Sequence, residues 1–496
     1  MSVQISGSGV IAGVTSVKTV PASDMSYLPA GADAVATTVQ AKLREWVSVK
    51  DFGAVGNGEA NDTFAIQKAI NYCRTNAKTL RFPDGSYKTT SALDWSGWIG
   101  ISVIGGDPGS GSVGSGVCPV TIVATGITGV AHDFSGSCYG SVSGINFGLS
   151  GGEVTANVLL ARIIDGAITY GSELTFTNCS FTPGTVCGVL GHMSEVLTFN
   201  DCRWQCTGVP GFVWTTRGGA SPWNISSPFG HTFTNALTLT CLRIFGGEFI
   251  GDSTRCLVLD AHNFTGGDVL VSGTYMPIHG LNCHSIGIYG LMENVAIDSV
   301  RAEATNNSGT HGVVYLQPGS NSALRHARIH ARESNGGTII SGTGNINATT
   351  IISENSINID GNLTDVTYHS VNPLYLTATG NVTRFNAFCN GIGTLAVTGS
   401  YQINDGNGGW IVSRQALFGS GTKTWEASNV DGLYSCSYAG SKLLMQTTLF
   451  GGTQQSNAIQ LWNAPNPSIG TLGIAGSVVT ATFNGTGDYF VVRKLA

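Results

Sequence analysis

Charged residues are scarce in this chain. They make up 11% of its 496 residues, against about a quarter in ordinary soluble proteins. Lys and Arg number 24 against 30 Asp and Glu, so no basic face is expected and a nucleic-acid partner is excluded. No stretch approaches 18 consecutive apolar residues, and the N-terminus lacks the basic and apolar segments of a signal peptide. We therefore expect no membrane insertion and no export through a signal peptide.

Motifs that hold metals or cofactors are also missing. The 12 cysteines are scattered without CxxC pairs, and several lie in strand-like runs such as LTFTNCSF, which favours buried, reduced thiols. The sequence contains no complete GxSxG, P-loop or HExxH motif and no compact group of aspartates. We expect no metal and no cofactor.

Glycine, in contrast, is abundant, and the chain is 42% hydrophobic, which excludes disorder. Residues 1–30 are small and polar and predict an extended arm. In residues 31–46 the four-residue spacing of Val35, Val39 and Leu43 indicates a short helix.

The segment VSVKDFGAVGNGEANDTFAIQKAINYC predicts a strand, a glycine-rich turn and an amphipathic helix. Asp62 or Thr63 would supply the oxygen that caps the helix. The expected buried stripe consists of Phe64, Ile66, Ala69, Ile70 and Cys73. A strand, TLRFPDGSY, follows.

The order of VSVKDFGAVGNG, NDTFAIQKAI and LRFPDGSYKT, preceded by GADAVATTVQAKLREW, resembles the entry to phage tailspike and pectate-lyase-like right-handed parallel β-helices. The resemblance covers Gly31 to about Thr90. Asn57 stands where the family often has Asp, which bears mainly on a turn. The resemblance implies a homotrimer in a virion tail. Such a protein is made in the host cytoplasm and acts on a bacterial surface polysaccharide, either capsule or O-antigen. The catalytic set of polygalacturonases is not recognisable, so that family lends no catalytic residues.

An internal repeat supports the same all-β fold independently. The segments LTFTNCSF, LTFNDCRW, LRIFGGEF, VLVSGTYM and VAIDSVRA begin at residues 174, 197, 242, 269 and 295. They share inward positions 1 and 3, a polar or glycine bend at 4 and 5, and inward positions 6 and 8, as stacked parallel coils require. The 45-residue step at residue 242 spans two coils or one coil with an inserted loop. SALRHARI at 322 and INATTIIS at 346 continue the series more weakly.

Three regions follow from these patterns. Residues 1–45 form an arm that attaches to another tail or baseplate protein, and residues 46–365 form the β-helix that carries catalysis and glycan binding. Residues 366–496 contain hairpin-like runs and predict a separate antiparallel β domain. That domain would trimerise the chain; the alternative is a monomeric β-sandwich.

Outward positions of the repeat place candidate chemistry on one surface. Position 7 is occupied by Ser180, Arg203, Glu248, Tyr275, Arg301 and Arg328, and position 9 by Glu303, His330 and Glu354. Glu248 and Glu303 lie two coils apart, so their backbones are about 10 Å apart. Inverting glycosidases separate their carboxyl groups by about 6.5–9.5 Å, which favours inversion.

The other roles on this surface follow from side-chain chemistry. Tyr275 and Arg301 would orient substrate, Arg328 and His330 would extend the binding surface, and Asp252 is the substitute acid. Alternatively, these outward charges are only solvated ion pairs.

The 45-residue step that ends at residue 242 contains the run VPGFVWTTRGGASPWNISSPFG. This run is too rich in glycine and proline for an ordinary strand. Aromatic faces stack on sugar rings, so Trp214 or Trp223 is expected to face a glycan, whereas Trp204 at position 8 belongs to the core.

Three functions remain open. The leading hypothesis is a tailspike depolymerase that cleaves its polysaccharide by endolytic glycoside hydrolysis. A polysaccharide lyase would instead use Arg301, Arg328 or His330 to neutralise a uronate, with Tyr275 or His330 moving protons. A non-catalytic adsorption protein or tail component is the third reading.

Overall fold

The computed structural model describes residues 20–106, 118–161, 163–164, 167–168, 173–192, 195–217, 223, 228–229, 238–278, 283–304, 311–318, 321–333, 336–390 and 392–404, together with strands between 409 and 494. Its helices in this part of the chain are α1 (Val39–Leu43), α2 (Thr63–Asn76) and a 3₁₀ turn at Val49–Phe52. Neither α-helix is long and apolar enough to cross a membrane.

Strands dominate the rest of the described chain. The first are Ser26–Tyr27, Thr37–Thr38, Trp46–Ser48, Asn57–Asn61, Thr79–Phe82, Gly85–Thr89, Leu93–Asp94 and Ser102–Gly105. The middle strands are Val120–Asp133, Gly140–Ser143, Asn146–Ala161, Ile163–Ile164, Ala167–Ile168, Leu174–Thr177, Ser180–Phe181, Cys187–His192, Leu197–Asn200, Arg203–Cys206, Phe212–Thr215, Thr238–Phe245, Glu248–Gly251, Arg255–Ser272, Tyr275–Ile278 and His284–Ala304. The later strands are Gly312–Leu316, Ala323–Arg325, Arg328–Glu333, Thr338–Thr343, Asn345–Asn347, Thr350–Ile352, Ser356–Asp360, Leu363–Thr364, Thr367–His369, Leu374–Ala378, Val382–Phe388, Ile392–Val397 and Ser400–Asn404.

Apart from two short antiparallel pairs, Ser26–Tyr27 with Thr37–Thr38 and Ile163–Ile164 with Ala167–Ile168, these strands stack in parallel from coil to coil and form a right-handed parallel β-helix, as predicted. Leu174 pairs with Leu197, Leu197 with Leu242, Leu242 with Val269, and Val269 with Val295. The direct pairing of Leu197 with Leu242 shows that the 45-residue step is one coil with an insertion. Each of these coils contributes to three sheets. The first sheet contains the strands before the repeat's bend, and the second contains the strands after it. The third sheet includes Cys187–His192 and Phe212–Thr215.

The bend between the first and second sheets recurs at repeat position 5. Its residues have left-handed backbone angles, with φ of 50° at Asn178, 49° at Asp201, 62° at Gly246, 64° at Gly273 and 54° at Ser299. Glycine, asparagine and aspartate tolerate this conformation best, which explains why polar residues or glycine occupy the bend position of the repeat.

Inside the helix, aromatic side chains stack along the axis at repeat position 8. Phe181, Trp204, Phe249 and Met276 are fully buried. The ring of Trp204 lies 4.2 Å from that of Phe249 and 5.8 Å from that of Phe181, both in stacked geometry. The inward positions of the repeat are therefore confirmed for these coils, and so is the assignment of Trp204 to the core.

Helix α2 covers the N-terminal end of the coil. Its predicted stripe is buried except for Phe64, in the first turn of the helix, which is 71% exposed, so the expected burial of this residue is wrong. Asp62 is the N-cap residue, but its carboxylate accepts hydrogen bonds from the backbone of Val55 (2.7 Å) and Gly56 (3.0 Å) instead of capping the helix. Asn61 accepts from the N–H of Thr63 in its place.

The expected repeat frame is wrong after residue 304. Arg328 pairs with Ala296, and Thr350 pairs with Arg328, so the two weaker segments are displaced from the frame. The later coils also shorten: Leu363 pairs with Val382 and Val382 with Tyr401, both 19 residues apart. The parallel coils also continue past the expected end at residue 365, because Val382–Phe388 pairs in parallel with Ser400–Asn404.

The antiparallel pairing of the C-terminal strands begins where Ser400–Asn404 meets the next strand. The antiparallel strands are Gly409–Arg414, Gly421–Glu426, Gly432–Tyr438, Ser441–Phe450, Thr453–Trp462, Gly470–Ala475, Val478–Phe483 and Phe490–Lys494. Hairpin-like pairing in the last part of the chain agrees with the sequence pattern, but it starts later than residue 366.

Candidate functional site

Four of the predicted site residues lie together on the outer surface of the second sheet. Glu248 is in register with Tyr275, and Tyr275 with Arg301. Glu303 follows Arg301 by two residues on the same strand. We call Glu248, Tyr275, Arg301 and Glu303 the carboxylate cluster.

Glu303 is held by two donors. The Tyr275 hydroxyl donates to Glu303 Oε2 at 3.0 Å, and Nη2 of Arg301 donates to the same oxygen at 3.2 Å. The Arg301 guanidinium also lies 5.7 Å from the centre of the Tyr275 ring. These contacts fix Glu303 through one oxygen and leave Oε1 for a second partner.

Glu248 has a different environment. Nε of Arg203, on the preceding coil, lies 2.9 Å from Glu248 Oε1, and both side chains are mostly shielded from solvent. The ion pair places a positive charge directly beside the Glu248 carboxyl group. Both carboxyl groups of the cluster thus face an arginine, and Glu303 in addition accepts the Tyr275 hydroxyl.

Tyr275 lies between the two carboxyl groups. Partial burial raises the pKa of the Tyr275 phenol above its ordinary value, and the hydrogen bond to Glu303 acts in the same direction. The phenol therefore stays protonated at neutral pH and acts as a hydrogen-bond donor, not as a base.

A groove of 630 Å³ adjoins the cluster at the corner between the first and second sheets. We call it the corner groove. Its lining residues are Ser299, Val300, Arg301, His330, Ala331, Arg332, Ile352, Ser353, Glu354, His369, Ser370, Val371 and Phe388. Asp298 pairs with His330 and Val300 with Ala331, so Ser299 has no counterpart and the bend is missing from the next coil. The groove lies where this one-residue deletion removes the bend.

The corner groove combines polar and apolar surfaces that the sequence frame missed. Arg332 lies 3.5 Å from Glu354, and both side chains are exposed. The His369 and Phe388 rings stack at 4.8 Å with an interplanar angle of 9°, and Phe388 is 45% exposed. The register pairs Arg332 with Arg301, in the place that the sequence assigned to Arg328.

The remaining polar predictions lie at the margins. Asp252 is exposed and accepts the backbone N–H of Gly208 at 2.7 Å, which links the two neighbouring coils just beyond the strand of Glu248. His330 lines the corner groove with its Nδ1 3.0 Å from Asp298 Oδ1. Arg328 is exposed on the first sheet and lies outside both the cluster and the groove lining.

Neither predicted tryptophan joins this surface. Trp214 is fully buried in the core, because its strand points this ring into the coil, so the expectation that it faces a glycan is wrong. The indole of Trp223 donates to Asp260 Oδ2 at 2.6 Å, and Arg217 Nε donates to the same oxygen at 2.7 Å. Asp260 is buried on the third sheet. Trp223 thus lies against the third sheet, on a different face from the cluster.

A buried serine–histidine pair also lies on the third sheet. Ser341 Oγ is 2.7 Å from His284 Nε2, and Arg255 Nη1 is 3.4 Å from His284 Nδ1. Arginine can only donate, so Nδ1 accepts and Nε2 carries the proton towards Ser341. This tautomer cannot accept a proton from the serine, so the pair is not a nucleophile with its base.

The described residues also bear on metals and thiols. They contain no group of three or more His, Cys, Asp or Glu side chains arranged to hold a metal ion. Every cysteine whose side chain is described is a free thiol, and most are buried, as the sequence predicts. Burial raises the pKa of the Cys73 thiol to about 12, which keeps it unreactive.

Comparison with known proteins identifies the entry to the coil. Residues 46–113 match the family model described as rhamnogalacturonase A/epimerase, pectate lyase-like. This segment is similar to the pectate-lyase-like family. The match covers the strand, turn and helix that resembled this superfamily in the sequence. Comparison with curated proteins gives no match.

Solved structures resemble the chain at low identity. The mannuronan C-5 epimerase A-module of Azotobacter vinelandii is 16% identical, covers 72% of this chain and 94% of its own, and has a TM-score of 0.40. The Dettilon tailspike protein is 12% identical over 92% of this chain and 95% of its own, with a TM-score of 0.39. A capsular polysaccharide depolymerase, the tailspike of Acinetobacter baumannii bacteriophage Fri1, is 10% identical over 92% and 84%, with a TM-score of 0.29.

Proposed function

We propose that this protein is a tailspike depolymerase that binds a bacterial surface polysaccharide and cleaves it endolytically by glycoside hydrolysis. The observation that carries the proposal is the carboxylate cluster, in which two carboxyl groups with different partners flank a tyrosine on an outer face of the β-helix. The pectate-lyase-like entry segment supports a carbohydrate-active setting.

The cluster divides the chemistry between its two carboxyl groups. Glu248, paired with Arg203, is the general base that takes a proton from the attacking water molecule. Glu303 is the general acid that delivers a proton through Oε1 to the leaving glycosidic oxygen, while Tyr275 and Arg301 hold Oε2. Two coils separate the acid and the base, about 10 Å between backbones, which leaves room for water and favours inversion of the anomeric centre.

Digestion of candidate host polysaccharides tests this function. Hydrolysis produces new reducing ends without ultraviolet absorbance, which is the result expected here. Unsaturated products that absorb in the ultraviolet would identify a lyase instead. Binding without any new ends would leave a non-catalytic adsorption protein.

Replacing Tyr275 by Phe tests the orientation of Glu303. The variant loses the hydroxyl that donates to Oε2, and one such hydrogen bond contributes about 0.5–1.5 kcal/mol, so kcat should fall up to about tenfold with little change in KM. Steady-state assays of reducing ends measure this. Tyr139→Phe, at an exposed tyrosine beside another coil, is the matched control. Equal losses in both variants would contradict a specific role for Tyr275.

We also propose that the protein is a homotrimer in the virion tail, held by its C-terminal antiparallel strands, with residues 1–45 attached to another tail or baseplate protein. Apolar side chains in the described part of the arm favour a partner, since Leu28 is 67%, Val35 81% and Leu43 64% exposed. Mass measurement should give three chains, and a single chain at micromolar concentration would contradict the trimer. Deletion of residues 1–45 should preserve glycan cleavage and abolish incorporation into particles.

A further inference from the structure

Building on the proposed function, we infer that the carboxylate cluster and the corner groove take an uncharged, hydroxyl-rich glycan and not a uronate polymer. The two surfaces are continuous, because Arg301 belongs to the cluster and also lines the groove. A volume of 630 Å³ is within the range of small-molecule sites, roughly 300–1,000 Å³.

The ion pairs along this surface leave no excess of positive charge, since three arginines face four carboxyl groups. Each basic side chain of the cluster and groove that could bind an anion already faces a carboxylate, apart from His369, whose ring stacks on Phe388. The pairs are Arg203–Glu248 at 2.9 Å, Arg301–Glu303 at 3.2 Å, His330–Asp298 at 3.0 Å and Arg332–Glu354 at 3.5 Å. A uronate needs an excess of positive charge, which these pairs do not provide. Neighbouring guanidinium donors and carboxylate acceptors instead suit hydroxyl groups, which both donate and accept.

An apolar platform complements these polar pairs. Phe388 is 45% exposed and is backed by the parallel ring of His369, and Val371 beside it is 73% exposed. The apolar face of a sugar ring can lie on such an aromatic surface, with its hydroxyl groups directed to Arg332 and Glu354. The platform thus contributes contact area where the ion pairs contribute orientation.

Binding of the full-length protein to defined glycans tests this inference. The probes are polygalacturonate and a panel of uncharged bacterial surface polysaccharides, each at 50 and 500 mM NaCl. We expect binding within the uncharged panel, with Kd changing less than about twofold between the two salt concentrations, because no net charge is neutralised. Phe388→Ala should weaken that binding about five- to tenfold, and Phe388→Trp should retain it.

A charge variant sharpens the test. Glu354→Gln leaves Arg332 without its carboxylate and should introduce weak, salt-sensitive binding of polygalacturonate. Salt-sensitive binding of polygalacturonate by the unmodified protein would overturn the inference, as would binding of no polysaccharide or unchanged affinity of Phe388→Ala. Uncharged glycans that bind through Phe388 but are not cleaved would support the inference while refuting the proposed hydrolysis. Cleavage at an unchanged rate in Phe388→Ala would support the proposed hydrolysis while refuting this inference.

Discussion

Replacing Glu248 by Gln lowers the turnover of the cleaved polysaccharide about 10²–10⁴-fold, and Glu303→Gln does the same, with glycan binding largely retained. The amide keeps the shape of the side chain but can neither accept the proton of the attacking water nor deliver one to the leaving oxygen. Because the two groups act in the same step, the double variant should lose little more than either single variant.

The measurement is the rate of reducing-end formation at saturating glycan, with binding followed separately. Glu293→Gln is the matched control, because Glu293 is also a partly exposed carboxylate 3.6 Å from an arginine, Arg325, but lies outside the cluster and groove. Parental rates in both cluster variants would show that this pair is wrong. Asp252→Asn would then be the next variant, although its carboxylate is engaged by Gly208.

The neighbourhood of the carboxylate cluster follows from the sequence because five successive segments keep one frame. Position 5 must bend and positions 1, 3, 6 and 8 must be buried, so the same spacing that fills the core aligns Arg203, Glu248, Tyr275 and Arg301 on the outside. A period-two pattern carries this information without any knowledge of the loops.

The corner groove could not be predicted in the same way. It arises where Ser299 has no counterpart, so Arg328–Glu333 alternates without a bend and the residue count of the repeat no longer locates the second sheet. The sequence frame consequently placed Arg328 where Arg332 lies and gave no role to Phe388. The burial of Trp214 could not be predicted either, because the glycine- and proline-rich composition of its segment indicated a loop, whereas Phe212–Thr215 is a strand that buries this ring.

Replacing Trp204 by Ala should give the largest loss of stability, about 3–5 kcal/mol. The indole is fully buried and stacks between Phe181 and Phe249, so its removal opens a cavity in the middle of a continuous aromatic column. Trp204→Phe keeps part of that column and should cost less. The chain's parallel pairings are long-range, so unfolding is best followed as a rate in guanidinium chloride, where the Ala variant should unfold much faster.

Trp46 provides the matched control for this effect. It is 53% exposed and its ring contacts the Arg81 guanidinium at 4.9 Å, so Trp46→Ala removes a similar side chain without opening a cavity and should cost less than about 1 kcal/mol. Equal unfolding rates for Trp46→Ala and Trp204→Ala would contradict the stacked core. A large loss of stability confined to Trp204→Ala would also support the outward position of Glu248. Trp204 stacks on Phe249 inside the coil, and Glu248 and Phe249 are adjacent residues that face opposite sides of one strand.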